Sequence, residues 1–499
     1  MATTMQTVSK PVRFKRELVA LICAVGVSQA SAGDWNFSPN IEIKEDFTNN
    51  LDLTESNEKS SFITQVLPGF TLHKKGGGLD VNVDYSLQHV NYSSSQGDDT
   101  TNHQLSAATN AELIDDNFFI DAQASMSQQR TSNRSASIGN DTNAAGSTTD
   151  TSTFEISPYW QQRINAHTDA GARFTYNQVN FDSNGGNDSD GYDVNLFIDS
   201  KPSVSKLHWG LTADKSRATP DDELPIESDE MSASLGYRHS SQLDVSLSYG
   251  YVDNHLSSTT DSNANAGDFW GVSTQWNPSA RTEISASYNS RLQTSNDYGL
   301  NFFHRTKSGS WTINYSESIS SAREELLQSI QIGSIVCNGD RSICNAVRDT
   351  NPILDDDQEI VTRIFELTPT LNDDRFISKE LTSNLVINKG KSTYNLGVYS
   401  RDREFQSGSL NSEEDIGISL GWTIQMNASS STTFTYDWSK LEPSGLAKDT
   451  ENTISIHYDK QLSRKTTVVA SISASDRSSP DSTREFSEQS LGVSLLHNF

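Results

Sequence analysis

The sequence is poor in apolar and basic residues and has few cysteines, and each shortage excludes a class of protein. Hydrophobic residues make up only 34% of the 499 residues. No run of about 20 apolar residues occurs outside the N-terminus, so a helical membrane protein is excluded. The 38 Lys and Arg against 65 Asp and Glu give a formal net charge of -27, which argues against binding nucleic acid phosphates. A disordered acidic chain and a large β protein with one apolar face remain.

The sequence also lacks the common catalytic and cofactor motifs. The ten His residues are scattered without an HExxH spacing, and no GxSxG elbow or phosphate-binding glycine loop occurs. Two acidic segments, Asp355–Asp357 with Glu359 and Gly186–Gly191, offer the oxygen ligands that Ca²⁺ takes, but the second lacks the downstream bidentate Glu. We predict neither an enzyme nor a resident metal or cofactor.

The N-terminus has the layout of a secretory signal peptide. Lys10, Arg13, Lys15 and Arg16 precede an apolar run over Leu18–Val27, and Ala30-Ser31-Ala32 forms a small-x-small cleavage site. We therefore predict a cleaved segment at 1–32 and a mature domain at 33–499.

Two of the three cysteines lie close together in the chain. Cys337 and Cys344 are most simply read, in an exported protein, as a disulfide that closes a small loop. Two thiols alone are too few for a structural zinc site. The third, Cys23, lies within the predicted signal peptide.

From Trp35 onward, apolar residues recur at every second position, which is the period of a strand with one apolar face. The clearest examples are Leu79/Val81/Val83/Tyr85/Leu87, Leu243/Val245/Leu247/Tyr249/Tyr251, Ile416/Ile418/Leu420/Trp422/Ile424 and Leu491/Val493/Leu495/His497/Phe499. No comparable helical period competes, although Glu324–Ile335 is compatible with one short isolated helix. The weakest strands are near His103–Leu113 and Met231–Tyr237.

The links between these strands alternate in length. Short links are expected at His73–Gly78, Ile114–Asn117, Arg238–Gln242, Asn277–Arg281, Arg305–Ser310 and Asn388–Ser392; long ones at Gln128–Ser152, Asp214–Glu230, Asp253–Gly267, Glu317–Asp373 and Ser439–Asn452. This alternation is typical of a transmembrane barrel with short periplasmic turns and long external loops. The sequence thus predicts an all-β, antiparallel, up-and-down transmembrane barrel of about 22 strands. Its longest external loop, at about 317–373, would carry the disulfide.

The positions between the apolar ones are expected to face the lumen. They are small, polar and mostly neutral or acidic, and the candidate lumen residues are Asp80, Asn82, Asp84, Asp244 and Gln275. Three aromatic residues share that face, namely Tyr159, Phe197 and Tyr399. These could stack on sugar rings or pack against a loop or plug.

The last strand ends on an aromatic residue, Phe499, in register with Leu491, Val493 and Leu495. This ending resembles the signal read by the outer-membrane assembly machinery. We therefore expect a bacterial outer-membrane location, with membrane lipid and the barrel-assembly machinery as partners and no nucleic acid partner.

Several segments carry a family resemblance. They are Trp35–Pro39, the stretch to Asn49-Asn50-Leu51, Phe62–Phe70, Leu79–Tyr92 and Arg375–Phe405, particularly Arg401-Asp402-Arg403-Glu404. Together they resemble the PEP-CTERM-system-associated outer-membrane β-barrel family. Members are signal-bearing barrels that accompany exopolysaccharide biosynthesis and export loci. The resemblance implies polysaccharide export components as partners and carries no known site residues. One departure is Asn49-Asn50, where an Asp-Asn pair is expected, and it weakens any ligand role there.

Two functions follow as expectations. The first is a channel or passage component in exopolysaccharide export. The alternative is a non-conducting structural or docking barrel whose loops bind extracellular polysaccharide or a partner protein, and a lumen filled by 128–152 or 317–373 would favour it. A TonB-dependent receptor shares the size, but its globular plug precedes the barrel, whereas the predicted strands begin at Trp35.

Overall fold

A computed structural model describes residues 35–94, 99–130, 148–182, 186–200, 206–221, 225–255, 266–290, 296–328, 333–338, 344–347, 358–364, 375–405 and 412–499. For 333–338, 344–347 and 358–364 only the backbone is described. The predicted signal peptide at 1–32 and the acidic run Asp355–Asp357 lie outside the described residues. Among the residues described, no helix is long and apolar enough to cross a bilayer.

The elements are almost entirely strands. The barrel strands are β1 (Trp35–Thr48), β2 (Ser61–Lys74), β3 (Leu79–Tyr92), β4 (Thr100–Ile114), β5 (Phe118–Arg130), β6 (Thr148–Asn165), β7 (Thr168–Phe181), β8 (Ser189–Ser200), β9 (Leu207–Pro220), β10 (Ile226–Arg238), β11 (Leu243–His255), β12 (Ala266–Ser279), β13 (Thr282–Ser290), β14 (Asp297–Thr306), β15 (Gly309–Ser320), β19 (Phe376–Lys389), β20 (Ser392–Phe405), β21 (Ser412–Asn427), β22 (Ser430–Pro443), β23 (Asp449–Ser463), β24 (Thr466–Ser478) and β25 (Phe486–Asn498). Between β15 and β19 lie α1 (Ala322–Gln328) and a small antiparallel sheet of β16 (Gly333–Asn338), β17 (Cys344–Val347) and β18 (Gln358–Ile364).

The large sheet is a closed ring of 22 antiparallel strands. Each strand pairs with the next one along the chain, β15 pairs with β19, and β1 pairs with β25 over Asn40↔Asn498 to Thr48↔Ser490. Because every strand has a paired neighbour on both sides, the ring has no free edge strand, as a sheet within hydrocarbon requires. The predicted barrel and its strand number are confirmed, including the two weakest strands, β4 and β10.

The two faces of the ring separate as the two-residue period requires. On β11, Leu247 is 58% and Tyr249 60% exposed on the outer face, while Asp244, Ser246 and Ser248 take the alternate positions. Large apolar side chains such as Trp270, Leu396, Ile418 and Leu491 continue this exposed surface around the ring. An outward apolar surface of this kind is the lipid-facing band of a transmembrane barrel.

The links separate the two ends of the ring. One end, called the short-turn end, has turns as tight as 166–167, 280–281 and 390–391; the other, the long-loop end, carries 49–60, 131–147 and 321–375. Two predicted long links prove shorter, because β9 and β10 leave only 221–225 between them, and β22 and β23 leave only 444–448. The ends of β9, β10, β22 and β23 carry polar residues on both faces. The alternation of apolar and polar residues stops there, so the sequence pattern predicts these strands too short.

The predicted helix at Glu324–Ile335 is partly wrong. α1 occupies Ala322–Gln328, and the chain from Gly333 is the strand β16. The run of Ile and Val after Gly333 suits a strand, whereas Arg-Glu-Glu-Leu-Leu suits a helix.

Candidate functional site in the barrel lumen

The predicted lumen residues stand on the inner face, opposite the exposed apolar side chains. Asp80, Asn82 and Asp84 alternate with Val81 and Val83 on β3, and Asp84 accepts a hydrogen bond from Thr71 Oγ1 at 2.9 Å. On β11, Asp244 Oδ1 lies 2.8 Å from His208 Nε2, and Asp244 Oδ2 accepts from Arg238 Nε at 3.3 Å.

Two cavities indent this inner wall. Asp244 and Gln275 line one of about 420 Å³, together with His208, Arg238 and several serines. Asp80 lines another of about 370 Å³. The wall therefore presents carboxylates, amides and hydroxyls to the lumen.

The three inner-face aromatics are engaged in packing with neighbouring strands. The Tyr159 ring is stacked 5.0 Å from Phe119, and the Arg173 guanidinium lies 4.1 Å from the same ring. The Phe197 ring occupies the space beside Gly171, and Tyr399 donates to Asp415 at 3.1 Å. The faces of Tyr159 are thus covered, which favours packing over sugar stacking for this residue.

A helix enters the lumen at the long-loop end. α1 follows β15 directly, and the Ser321 hydroxyl accepts a hydrogen bond from the Glu324 backbone N–H at 3.2 Å in its first turn. Arg323 then reaches β7 and β8, where it donates to Asn177 Oδ1 and to Ser189 Oγ at 2.9 Å. Side chains of a strand alternate between its two faces, and Asn177 is three positions from the outward Phe174 on β7. Asn177 therefore points to the lumen, and this contact is on the inner wall.

The next turn of α1 reaches a second wall. Glu325 accepts from Arg403 Nη2 on β20 at 2.6 Å, and Arg403 Nη1 also contacts Glu413 on β21 at 3.5 Å. Arg403 is only 1% exposed, with its guanidinium 5.2 Å from the Phe376 ring centroid. Arg403 is an odd number of positions from the outward Leu396 and Val398 on β20, so its side chain also lies on the inner face.

The two walls that α1 contacts face each other across the ring. Between them lie β9–β15 and β19 on one side, and β22–β25 with β1–β6 on the other. α1 therefore bridges the lumen with an arginine at one wall and a glutamate at the other.

The charged groups of α1 are shielded from water by this position. Burial raises the pKa of the Glu324 carboxyl above its ordinary value, and Arg375 and Arg323 act in the opposite direction. Burial likewise lowers the pKa of Arg323, while Glu324 and Asp193 favour its charge. Neighbouring opposite charges thus offset part of the desolvation cost.

The loop 49–60 also folds towards the inner wall. Leu51 is fully buried against Ile63 and Val90, which lie on the inner faces of β2 and β3. Two elements therefore contact the inner wall at the long-loop end, α1 and this loop.

The sequence did not identify Arg323, Glu325 or Arg403 as members of one site. In the sequence, Arg401–Glu404 carries only the family resemblance, and the residues from Glu324 carry only a short helical pattern. Nothing in the local pattern indicates that these two segments meet.

The remaining predicted residues are placed as follows. Cys337 and Cys344 are direct backbone partners across the β16–β17 pair. This register is compatible with a disulfide, which stays a prediction.

Phe499 lies at the seam, where its N–H donates to the Pro39 carbonyl at 2.9 Å and its ring meets His497 edge-on. Within the described ranges, no group of three or more His, Cys, Asp or Glu side chains is arranged to hold a metal ion.

Comparison with known proteins supports the architecture. No family model matches the chain, and no curated protein does. The siderophore receptor PirA from Acinetobacter baumannii is similar in structure, with a TM-score of 0.51, 6% identity, and coverage of 94% of this chain and 81% of that one. PirA from Pseudomonas aeruginosa (0.47, 9%, 94% and 81%) and the FrpB iron transporter from Neisseria meningitidis (0.46, 12%, 93% and 83%) also match. At these identities the similarity concerns the fold alone, and the chain is an outer-membrane β-barrel.

Proposed function

We propose that this protein is a passage component for a secreted polysaccharide in the outer membrane. The observation that carries the proposal is the polar inner wall enclosed by a closed ring of 22 strands. A ring of this size is wide enough to enclose either an aqueous route or a plug. The resemblance to barrels of exopolysaccharide loci supplies the cargo class.

The chemistry of the wall suits a hydroxyl-rich polymer. Asp80, Asp244 and Gln275 offer acceptors, and the serines beside Asp244 and Gln275 both donate and accept. Sugar hydroxyls can exchange hydrogen bonds with such groups one after another as a chain moves past. The formal charge of -27 disfavours a polyanionic cargo at the same time.

Two measurements test this function together. Deletion of the gene should lower surface polysaccharide, and re-expression of the wild-type chain should restore it. The purified protein should produce current steps in planar bilayers. Unchanged surface polysaccharide in the deletion strain would contradict the proposal.

A specific observation favours a second function, that of a non-conducting docking barrel. α1 and the loop 49–60 both contact the inner wall at the long-loop end, and a barrel without a route needs elements that fill its lumen. In that case the external loops would bind polysaccharide or a partner. Persistent silence in bilayers, combined with binding of the cells' own polysaccharide to the purified barrel, would favour this function over a passage.

A further inference from the structure

We infer that α1 is a gate that narrows the lumen, held in place by Arg323 at one wall and by Glu325 at the other, and that release of both contacts widens the route. This inference rests on the proposed passage function. It adds the element that controls the passage and the two side chains that hold it.

α1 is too short to hold this position by its own stability. It has seven residues, and isolated helices shorter than about 12 residues are marginal in water. Its buried apolar side chains are Ala322 and Leu326 among the described residues. The position of the helix therefore depends strongly on the polar contacts of Arg323 and Glu325.

The wall of β7 and β8 is shaped to receive Arg323. Gly191 leaves the space that the guanidinium occupies, because a Cβ there would lie 2.6 Å from Arg323 Nη2 and 2.7 Å from the Arg217 carbonyl oxygen. Asn177 and Ser189, both less than a tenth exposed, accept its hydrogen bonds. The arginine thus fits a formed receptor on the wall.

On the wall of β20 and β21, Arg403 keeps an acidic partner when Glu325 moves away. Arg403 remains beside Glu413, which lies 3.5 Å away and is 4% exposed, and beside the Phe376 ring. A buried charge without a partner is strongly destabilising, so this second partner matters. Because Arg403 does not depend on Glu325 alone, the helix can detach without leaving the wall arginine unpaired.

The first experiment releases both contacts from the helix side. R323A/E325A removes one positive and one negative charge and changes no residue of the ring. The matched control is K440A/E442A, which removes one positive and one negative charge from a single ion pair at the long-loop end that does not involve α1. Planar-bilayer recordings should show a several-fold higher mean conductance for R323A/E325A than for wild type, with the control at the wild-type level.

Two further variants distinguish gating from a general loosening of the fold. E325D keeps the carboxylate and should stay near wild-type conductance, whereas E325R opposes Arg403 and should open the barrel. Heat-modifiable gel migration verifies that each barrel is folded. If R323A/E325A fails to assemble, E325R and E325D decide the question.

The outcomes separate the gate from the function. Wild-type conductance in folded R323A/E325A and in E325R, or an equal rise in the control, would overturn the gate. Silence of every variant would overturn it as well. If the variants open as expected but deletion of the gene leaves surface polysaccharide unchanged, the gate stands and the polysaccharide role fails.

Discussion

Asn50 ties the first loop to the barrel seam at the long-loop end, at the spot where the departure from the family pattern weakens a ligand role. Its amide donates to the carbonyls of Thr54 and Ser487 at 2.8 and 2.9 Å, and its oxygen accepts from the Thr54 N–H at 3.1 Å. Its neighbour Asn49 accepts from the Gln489 N–H at 2.7 Å. The side chain of Asn50 both donates and accepts, as only an amide can do here. These two residues therefore tie the first loop to β25.

Replacing Asn50 by alanine should destabilise the folded barrel. The side chain is fully buried, and its removal leaves backbone groups of Thr54 and Ser487 without this partner, at a cost of about 1–3 kcal/mol. The temperature at which the folded gel band converts to the unfolded band should fall in Asn50→Ala. Ser56→Ala, in the exposed part of the same loop, is the control and should leave that temperature unchanged. Equal temperatures for both variants would contradict the structural role.

The last strand, β25, completes the ring by pairing with both β24 and β1. Its outward residues Leu491, Val493 and Leu495 are 40–51% exposed and continue the lipid-facing band. Phe499 extends this face and bonds through its N–H to Pro39. The predicted assembly signal and the closing contact therefore reside in the same residue.

Removing the Phe499 ring should impair assembly more than it destabilises the finished barrel. The backbone hydrogen bond to Pro39 survives in Phe499→Ala. The substitution removes only one exposed aromatic ring, and with it the feature that the assembly machinery is predicted to recognise. Less heat-modifiable protein should be recovered in outer-membrane fractions, while the molecules that do fold convert at nearly the wild-type temperature. Ile164→Ala removes another exposed apolar side chain near the short-turn end and serves as control. Normal recovery of Phe499→Ala would argue against an assembly signal.

The whole molecule depends on two faces with opposite chemistry. Leu247 and Ser248 are adjacent on β11, yet one side chain points to lipid and the other to the lumen. Lipid excludes charge at the midplane, whereas the lumen accommodates polar groups. Adjacent positions should therefore respond in opposite ways to the same substitution.

Leu247→Arg should destabilise the barrel in bilayers by about 2–4 kcal/mol, as charges on the lipid face do near the midplane. Ser248→Arg should fold with a much smaller loss, because its side chain enters the wet lumen. Denaturant titrations in lipid vesicles measure both. A larger loss for Ser248→Arg than for Leu247→Arg would contradict the assignment of the two faces.

The sequence by itself determined the strands, their faces and the closed barrel. A strand has a period of two residues, so Leu243–Tyr251 and Leu491–Phe499 show their apolar faces within a few positions of the chain. The same signal failed at the polar strand ends, as between β9 and β10, because neither face there meets lipid.

The tertiary structure alone decided where α1 and Asn50 act. The contacts of Arg323 with Ser189 and of Glu325 with Arg403 join residues 134 and 78 positions apart. They form only because ring closure sets β7–β8 opposite β20–β21 and brings β1 beside β25. A local pattern contains no information about which walls will face each other, so the occupied lumen could not be predicted from it.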